Sequence, residues 1–247
     1  MAIKTILNFS PNFDSKKRKS KQIKFIIFHY TGMKKESDAV NRLLDIQSEV
    51  SCHYLIRNNG KVIKMVPDLY IAWHAGKSSW KNYKSLNQNS IGIEITNPGH
   101  EFGYKKFSKK QISSILKLSK FLIKKYKINS KNILGHSDIA PQRKEDPGEK
   151  FPWEYLSKNK IGLWHTLKRH ELTKNRKLKI NKTEEGFFFN NLFKIGYEKK
   201  IQKGSSKDVY LKYVIKTFQR RFRQELINGV IDRECLLISK NLLKKYN

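Results

Sequence analysis

A chain of 247 residues, 38% hydrophobic and 12% aromatic, has enough apolar mass for one sizeable domain, or an ordinary one plus a small one, which excludes wholesale disorder. No apolar run approaches the ~20 residues a helix needs to cross a bilayer, so no transmembrane segment is expected. The 52 lysines and arginines against 21 acids leave a net charge of +31, which attracts polyanions. That excess is mostly lysine spread along the whole chain beside many asparagines, as an AT-rich coding bias would also produce, and no specific nucleic-acid partner is expected.

The start, "MAIKTILNFSPNFDSKKRKSKQIK", shows no long apolar stretch, no small-residue cleavage site and no lipid-attachment cysteine. The expected compartment is therefore the cytoplasm, with the periplasm or cell envelope as the alternative if a leader is missing or export is non-standard. Residues 1–22 read as a basic extension over the surface. "IKFIIFHYTG" then reads as a fully buried strand, and "ESDAVNRLLDIQSE" as a helix capped by Ser37 or Asp38. "SCHYLIRNNGKVIKMV" predicts a hairpin turning at Asn58-Asn59-Gly60, and "NSIGIEITNPG" another short strand. "SKKQISSILKLSKFLIKKYKI" spaces its apolar residues as an amphipathic helix, and "NILGHSDIAP" is a strand running into a proline-stiffened loop. Strands alternating with helices predict an α/β domain over 23–166 with a central sheet flanked by helices. Residues 167–185 are basic and poor in large apolar clusters, which predicts a linker. Residues 186–247 predict a small all-α domain of three helices. Cys52 and Cys235 are expected as two buried free thiols, and thiolate zinc binding is unsupported.

The loop "HSDIAPQRKEDPG", residues 136–148, suits no amphipathic helix and no alternating strand. His136 and Asp146 flank it, close enough in sequence to converge on one ion, and a catalytic zinc needs three protein ligands with one vertex left for water. His29, at the end of the buried strand, is the leading candidate for the third, with His53 and His74 as rivals. His165 and His170 read as surface or linker residues. Glu94, a single acid among isoleucines in "SIGIEI", is expected half buried with a raised pKa. Asp138 fits a role in structuring the loop or orienting a ligand histidine better than one as a ligand.

Five ordered stretches, "FHYTG", "SCHYLIRNNGKVIKMV", "AWHAGKSSW", "NSIGIEITNPG" and "ILGHSDIAPQRKEDPG", resemble the zinc-dependent N-acetylmuramoyl-L-alanine amidases of type 2 over roughly residues 20 to 160. The resemblance implies that fold, a central mixed sheet flanked by helices, and one zinc ion per chain on His29, His136 and Asp146. It implies Glu94 and Lys144 as catalytic residues: Glu94 to move the water's proton, Lys144 to stabilise the oxyanion. It makes Trp73, His74, Ala75 and Gly76 substrate-binding surface, with His74 a substrate contact, while Arg143 is a candidate for a stem-peptide carboxylate. His53 goes to the fold. "YVIKTFQRRFRQELINGVIDREC" resembles a helical peptidoglycan-binding module over about 187 to 247, in which Val214, Phe218 and Phe222 are core and which adds local concentration rather than chemistry.

The function this implies is hydrolysis, by a monomer, of the amide between N-acetylmuramic acid and the L-alanine of peptidoglycan or muropeptides. The competing readings are a non-catalytic peptidoglycan-recognition protein and, on charge alone, a nucleic-acid binder. A generic zinc peptidase finds no His-Glu-x-x-His stretch.

Overall fold

The computed structural model describes residues 4–199 and 206–246. In chain order, β1 (Ile6–Leu7), β2 (Phe13–Asp14) and β3 (Phe25–Tyr30) precede α1 (Glu36–Leu44) and the hairpin of β4 (Tyr54–Ile56) and β5 (Val62–Lys64). The short strands β6 (Ile71–Ala72), β7 (Ser79–Trp80) and β8 (Tyr83–Lys84) lead to β9 (Ser90–Ile95), α2 (Lys109–Tyr126) and β10 (Ile133–Gly135). Then come α3 (His136–Ile139), α4 (Trp153–Lys158), α5 (Arg169–Asn175), α6 (Lys182–Ile195), α7 (Lys207–Phe222) and α8 (Arg233–Tyr246).

Six strands form one sheet in the order β1-β5-β4-β9-β3-β10, parallel except for the β4–β5 hairpin. This is the expected mixed sheet flanked by helices. Strand alternation divides its side chains between two cores. Ile26, Phe28, Ile91, Ile93 and Ile95 pack with Ile115, Leu118 and Leu122 of α2. Phe25, Ile27 and Leu134 face the other way, into a cluster with Phe188, Phe218 and Leu236 of the C-terminal helices. The same alternation turns His29, Gly92 and Glu94 away from α2, toward the site. Helix α2 begins with a capping box: the Ser108 hydroxyl accepts from the Gln111 amide at 3.2 Å, and the Gln111 side chain accepts from the Ser108 amide at 2.9 Å. Helix α1 has no such side-chain cap; it starts at Glu36, whose carboxylate instead holds Arg57 Nε and the Asn58 amide, both at 2.6 Å.

Two expectations about segments need correction. Residues 1–22 do not simply lie on the surface: β1 adds an edge to the sheet beside β5, and Ser10, Asn12 and Arg18 are buried. Arg18 is pulled in because three backbone carbonyls, of Asp68, Asn87 and Gln88, accept from its guanidinium. The stretch 167–185 is not plain linker either, since it holds α5 and the first turn of α6, and Leu172 joins the core shared with the C-terminal helices. The "FQ" and "ID" residues of the C-terminal signature are internal. The Gln219 amide group donates to Val230 O at 2.8 Å and accepts from Gly229 N at 2.8 Å, while Asp232 accepts from the Cys235 amide at 3.0 Å. Phe218 and Phe222 are core, as expected, and Cys52 and Cys235 are buried and free. No described helix is long and apolar enough to cross a membrane.

Candidate metal centre

β10, β3 and β9 are parallel neighbours, so their C-terminal ends emerge on one side, where open α/β sheets place their sites. His29 pairs in register with Glu94, and His136 follows β10 directly. The loop after α3 brings Asp146 back over both. His29 Nδ1 lies 3.0 Å from His136 Nδ1 and 3.0 Å from Asp146 Oδ2, and the latter two atoms are 3.1 Å apart. Among the described residues this is the one cluster of three histidine, cysteine or acidic side chains able to grip a metal ion, and all three members are buried. His29 is thus the third member that spacing alone left open.

The protons around the cluster can be assigned from its anchors. The Ser90 hydroxyl donates to Leu86 O at 2.6 Å, so Ser90 Oγ accepts from His74 Nε2 at 3.2 Å. His74 Nδ1 then accepts from His29 Nε2 at 3.0 Å, which leaves His29 Nδ1 without a proton. His136 Nε2 donates to Ala75 O at 3.1 Å, which turns its Nδ1 toward His29 and Asp146. The His29 lone pair, His136 Nδ1 and a carboxylate oxygen therefore point at one another, and one cation seated between them would satisfy all three. Donors ~2.1 Å from a tetrahedral zinc stand roughly 3.4 Å apart, so the triad need open by only a few tenths of an ångström to accept one.

Burial, aided by the neighbouring His136 ring, pushes His29 down to about 4, so it is neutral at physiological pH. Burial would raise the Asp146 carboxyl, but the His136 ring, by charge and hydrogen bond, outweighs it and holds the group well below the usual carboxylate range. Glu94 is half-buried and moves the other way: burial pushes it up to about 8, Asp146 adds to the rise and Lys144 opposes it. Its Oε2 has no hydrogen-bond partner among the described residues.

The triad sits in a cleft of about 480 Å³ that also takes in Arg42, Trp73, Glu94, Arg143 and Lys144. Trp73 is half-buried, its indole N–H held by Asp14 Oδ1 at 2.7 Å, and forms a wall. Gly76 is exposed beside it. Arg143 is exposed too and donates to the carbonyls of Ala75 and Lys77, so part of its fork braces that loop. Ala75 differs from its expected place as substrate surface, whereas His74 lines the cleft beside the triad. Both are buried and orient the triad: the Ala75 carbonyl orients His136, and the His74 ring orients His29. The signal for His74 lay in Gly92, a glycine inside a buried strand. A Cβ there would come within 2.4–2.6 Å of three atoms of the His74 ring. Gly92→Ala is accordingly expected to cost about 1–3 kcal/mol in urea unfolding and to tilt His29 off its axis.

His53 belongs to the fold as expected, its Nδ1 accepting from the Gly92 amide at 3.0 Å. His165 is not a surface residue: it is buried, its ring stacked on Trp164 at 4.9 Å, whereas His170 is exposed on α5. Asp138 structures the loop rather than a ligand ring, accepting from the Gly135 amide at 2.8 Å and from Tyr197 Oη at 2.9 Å. A larger groove of about 650 Å³, lined by Trp164, His165 and Arg176, offers no comparable donor set. Its acids are already paired, Glu225 and Glu234 with Arg176, and Glu154 with Lys158.

Residues 19–149 match the family described as N-acetylmuramoyl-L-alanine amidase. The N-acetylmuramoyl-L-alanine amidase AmiD of Escherichia coli (strain K12) is 35% identical over 91% of this chain and 84% of its own length. The chain belongs to the N-acetylmuramoyl-L-alanine amidase family. The amidase also superimposes on solved structures. One is E. coli AmiD in complex with the substrate anhydro-N-acetylmuramic acid-L-Ala-D-γ-Glu-L-Lys, with a TM-score of 0.79 and 35% identity over 91% of this chain and 90% of that one. Another is AmpDh3 from Pseudomonas aeruginosa in complex with anhydromuramic pentapeptide, with a TM-score of 0.78 and 28% identity over 96% and 97%. The 1,6-anhydro-N-acetylmuramyl-L-alanine amidase AmpD of Haemophilus influenzae is 34% identical over 60% of this chain and 88% of its own. The amidase reaction is hydrolysis of the bond between N-acetylmuramic acid and the L-alanine of the stem peptide.

Proposed function

We propose that the amidase is a single-zinc hydrolase of muropeptides in which His29, His136 and Asp146 hold the metal, Glu94 moves the proton and Lys144 faces the oxyanion. The observation that carries this is the convergence of three buried metal-donor atoms, 3.0–3.1 Å apart, beside a carboxyl in register with one of them. Zinc, when bound, supplies a Lewis acid that polarises the scissile carbonyl and lowers the pKa of water at its open position from 15.7 toward about 7.

The chain's own residues do the rest. Glu94 has one unpartnered oxygen, and the charge of a bound cation beside it would favour its carboxylate form, which takes the proton of the attacking water as that water's oxygen adds to the carbonyl carbon. It returns the proton to the alanine nitrogen as the C–N bond breaks, giving a muramyl carboxylic acid and a free peptide amine. Lys144, half-buried in the same cleft, stabilises the charge on the former carbonyl oxygen, and Lys144→Ala is expected to lower kcat about 10²–10³-fold. Arg42 and Arg143 complement the carboxylates of a stem peptide, and Trp73 supplies an apolar wall. The complexes of AmiD and AmpDh3 with anhydromuramyl peptides support a substrate of that class. Residues 23–166 are then the catalytic part and 186–247 a helical peptidoglycan-binding part.

The test is incubation of purified protein with muropeptides, with and without a chelator, reading free stem peptide by mass. Zinc-loaded protein should release it, chelated protein should not, and re-added zinc should restore both turnover and a raised melting temperature. Zinc at 1,000 times its Kd stabilises by about 4 kcal/mol. Unchanged substrate from zinc-loaded protein would overturn the assignment.

A further inference from the structure

Helix α7 carries two adjacent arginines whose side chains are only 9% and 3% exposed, and they reach opposite ends of the loop that bears the metal donors. Arg221 Nη1 donates to Asp138 Oδ2, its Nη2 donates to Ile133 O at 3.0 Å, and its guanidinium lies 4.2 Å from the Trp153 ring centroid. Asp138 also accepts from Tyr197 Oη, of the same helical part, and from the Gly135 amide, one residue before His136. At the far end Arg220 Nη2 donates to Glu145 Oε1 at 2.6 Å, and Glu145 immediately precedes Asp146. Arg220 Nε also lies 3.8 Å from Glu149, while His100 approaches both acids. The Ser137 amide ties the two ends together by donating to Asp146 O at 2.9 Å.

Buried ion pairs are a weak route to stability, since well-packed apolar residues in their place are often neutral or better. Phe188, Phe218 and Leu236 already seat the helices on the sheet. What Arg220 and Arg221 add is directional: Arg221 holds Ile133 O and Asp138 just before and after His136, and Arg220 holds the side chain of Glu145 beside Asp146. We propose that Arg220 and Arg221 are positioning residues, so that the C-terminal helices set the geometry of the His136–Asp146 loop and with it the metal site, rather than serving only to concentrate the enzyme on its polymer. This inference rests on the zinc reading above.

The experiment uses the full-length protein and measures zinc Kd by competition with a chromophoric chelator, alongside thermal melting, at a temperature where circular dichroism shows every variant folded. Arg221→Met and Arg220→Met are each expected to weaken zinc binding about tenfold or more, the scale of residues that orient ligands from behind. Arg221→Lys, which keeps the charge on Asp138, should recover part of that loss. The control is Arg176→Met, which breaks the ion pairs with Glu234 and Glu225 inside the helical part. It should lower the melting temperature while leaving zinc Kd within about twofold of wild type. Wild-type zinc affinity in folded Arg221→Met and Arg220→Met would overturn the proposal; if Arg221→Met does not fold, Arg220→Met decides alone. A wild-type protein that binds no zinc would overturn the metal reading instead, which keeps the two failures distinct.

Discussion

Asp146→Ala is expected to lose its zinc and its turnover together. Two imidazoles remain after the substitution, one ligand short of the three that a catalytic zinc requires, and the lost donor is the only anion of the set. A drop in zinc affinity of about 10³-fold or more and loss of detectable stem-peptide release should follow, read by metal analysis of the purified variant and by mass spectrometry of the digest. The carboxylate has a separate effect on the metal-free protein. Its folded pKa lies below its ordinary value, so its ionised form contributes stability at neutral pH that fades as the pH falls through and below the ordinary carboxylate range. Asp146→Ala that still carries one zinc per chain would dismantle the centre as described.

Glu94→Gln should separate chemistry from metal. The amide cannot take a proton from water, so turnover is expected to fall about 10²–10⁴-fold while zinc stays bound. The same change should make the metal-free protein more stable, with a definite sign in pH. Burial raises the Glu94 carboxyl from 4.5 to about 8, so the folded state keeps it neutral. Its contribution is intact below about pH 4.5 and is lost as pH rises toward 8, where ionising the buried group opposes folding. Glutamine removes that opposition. The variant should match wild type near pH 4.5 and exceed it above pH 8 by on the order of 1–3 kcal/mol, discounted for the partial exposure of the side chain. Urea unfolding of both metal-free proteins at the two pH values checks the sign. Turnover at the wild-type rate would remove Glu94 from the mechanism.

Much of this architecture can be read from local pattern because local pattern caused it. "FIIFH" is buried throughout because a strand between β9 and β10 has two covered faces. "IGIEI" alternates because isoleucines at 91, 93 and 95 face α2, leaving Gly92 and Glu94 for the side of His29. The asparagine–glycine turn and the Ser108 cap are likewise properties of a few consecutive residues. Other features carry no such signature. The two-residue strand β1 is too short to show a period and exists because β5 offers it an edge. His165 stands in a polar-looking run, and only the packing of Trp164 and α7 above it makes it internal.

The candidate site divides along the same line. The sequence by itself determined which residue types were present at the ends of the parallel strands, and so the chemistry on offer: imidazole, carboxylate and a buried acid. Spacing left His29, His53 and His74 open and the resemblance pointed to His29; the tertiary structure brings His29 to His136 across 107 positions of chain, and it alone decided that His74 and Ala75 orient the donors and that Arg220 and Arg221 brace their loop. The physical reason is that hydrophobic periodicity is imposed on neighbours along the chain, whereas a lone pair is aimed by whichever distant atom takes the proton on the other side of its ring.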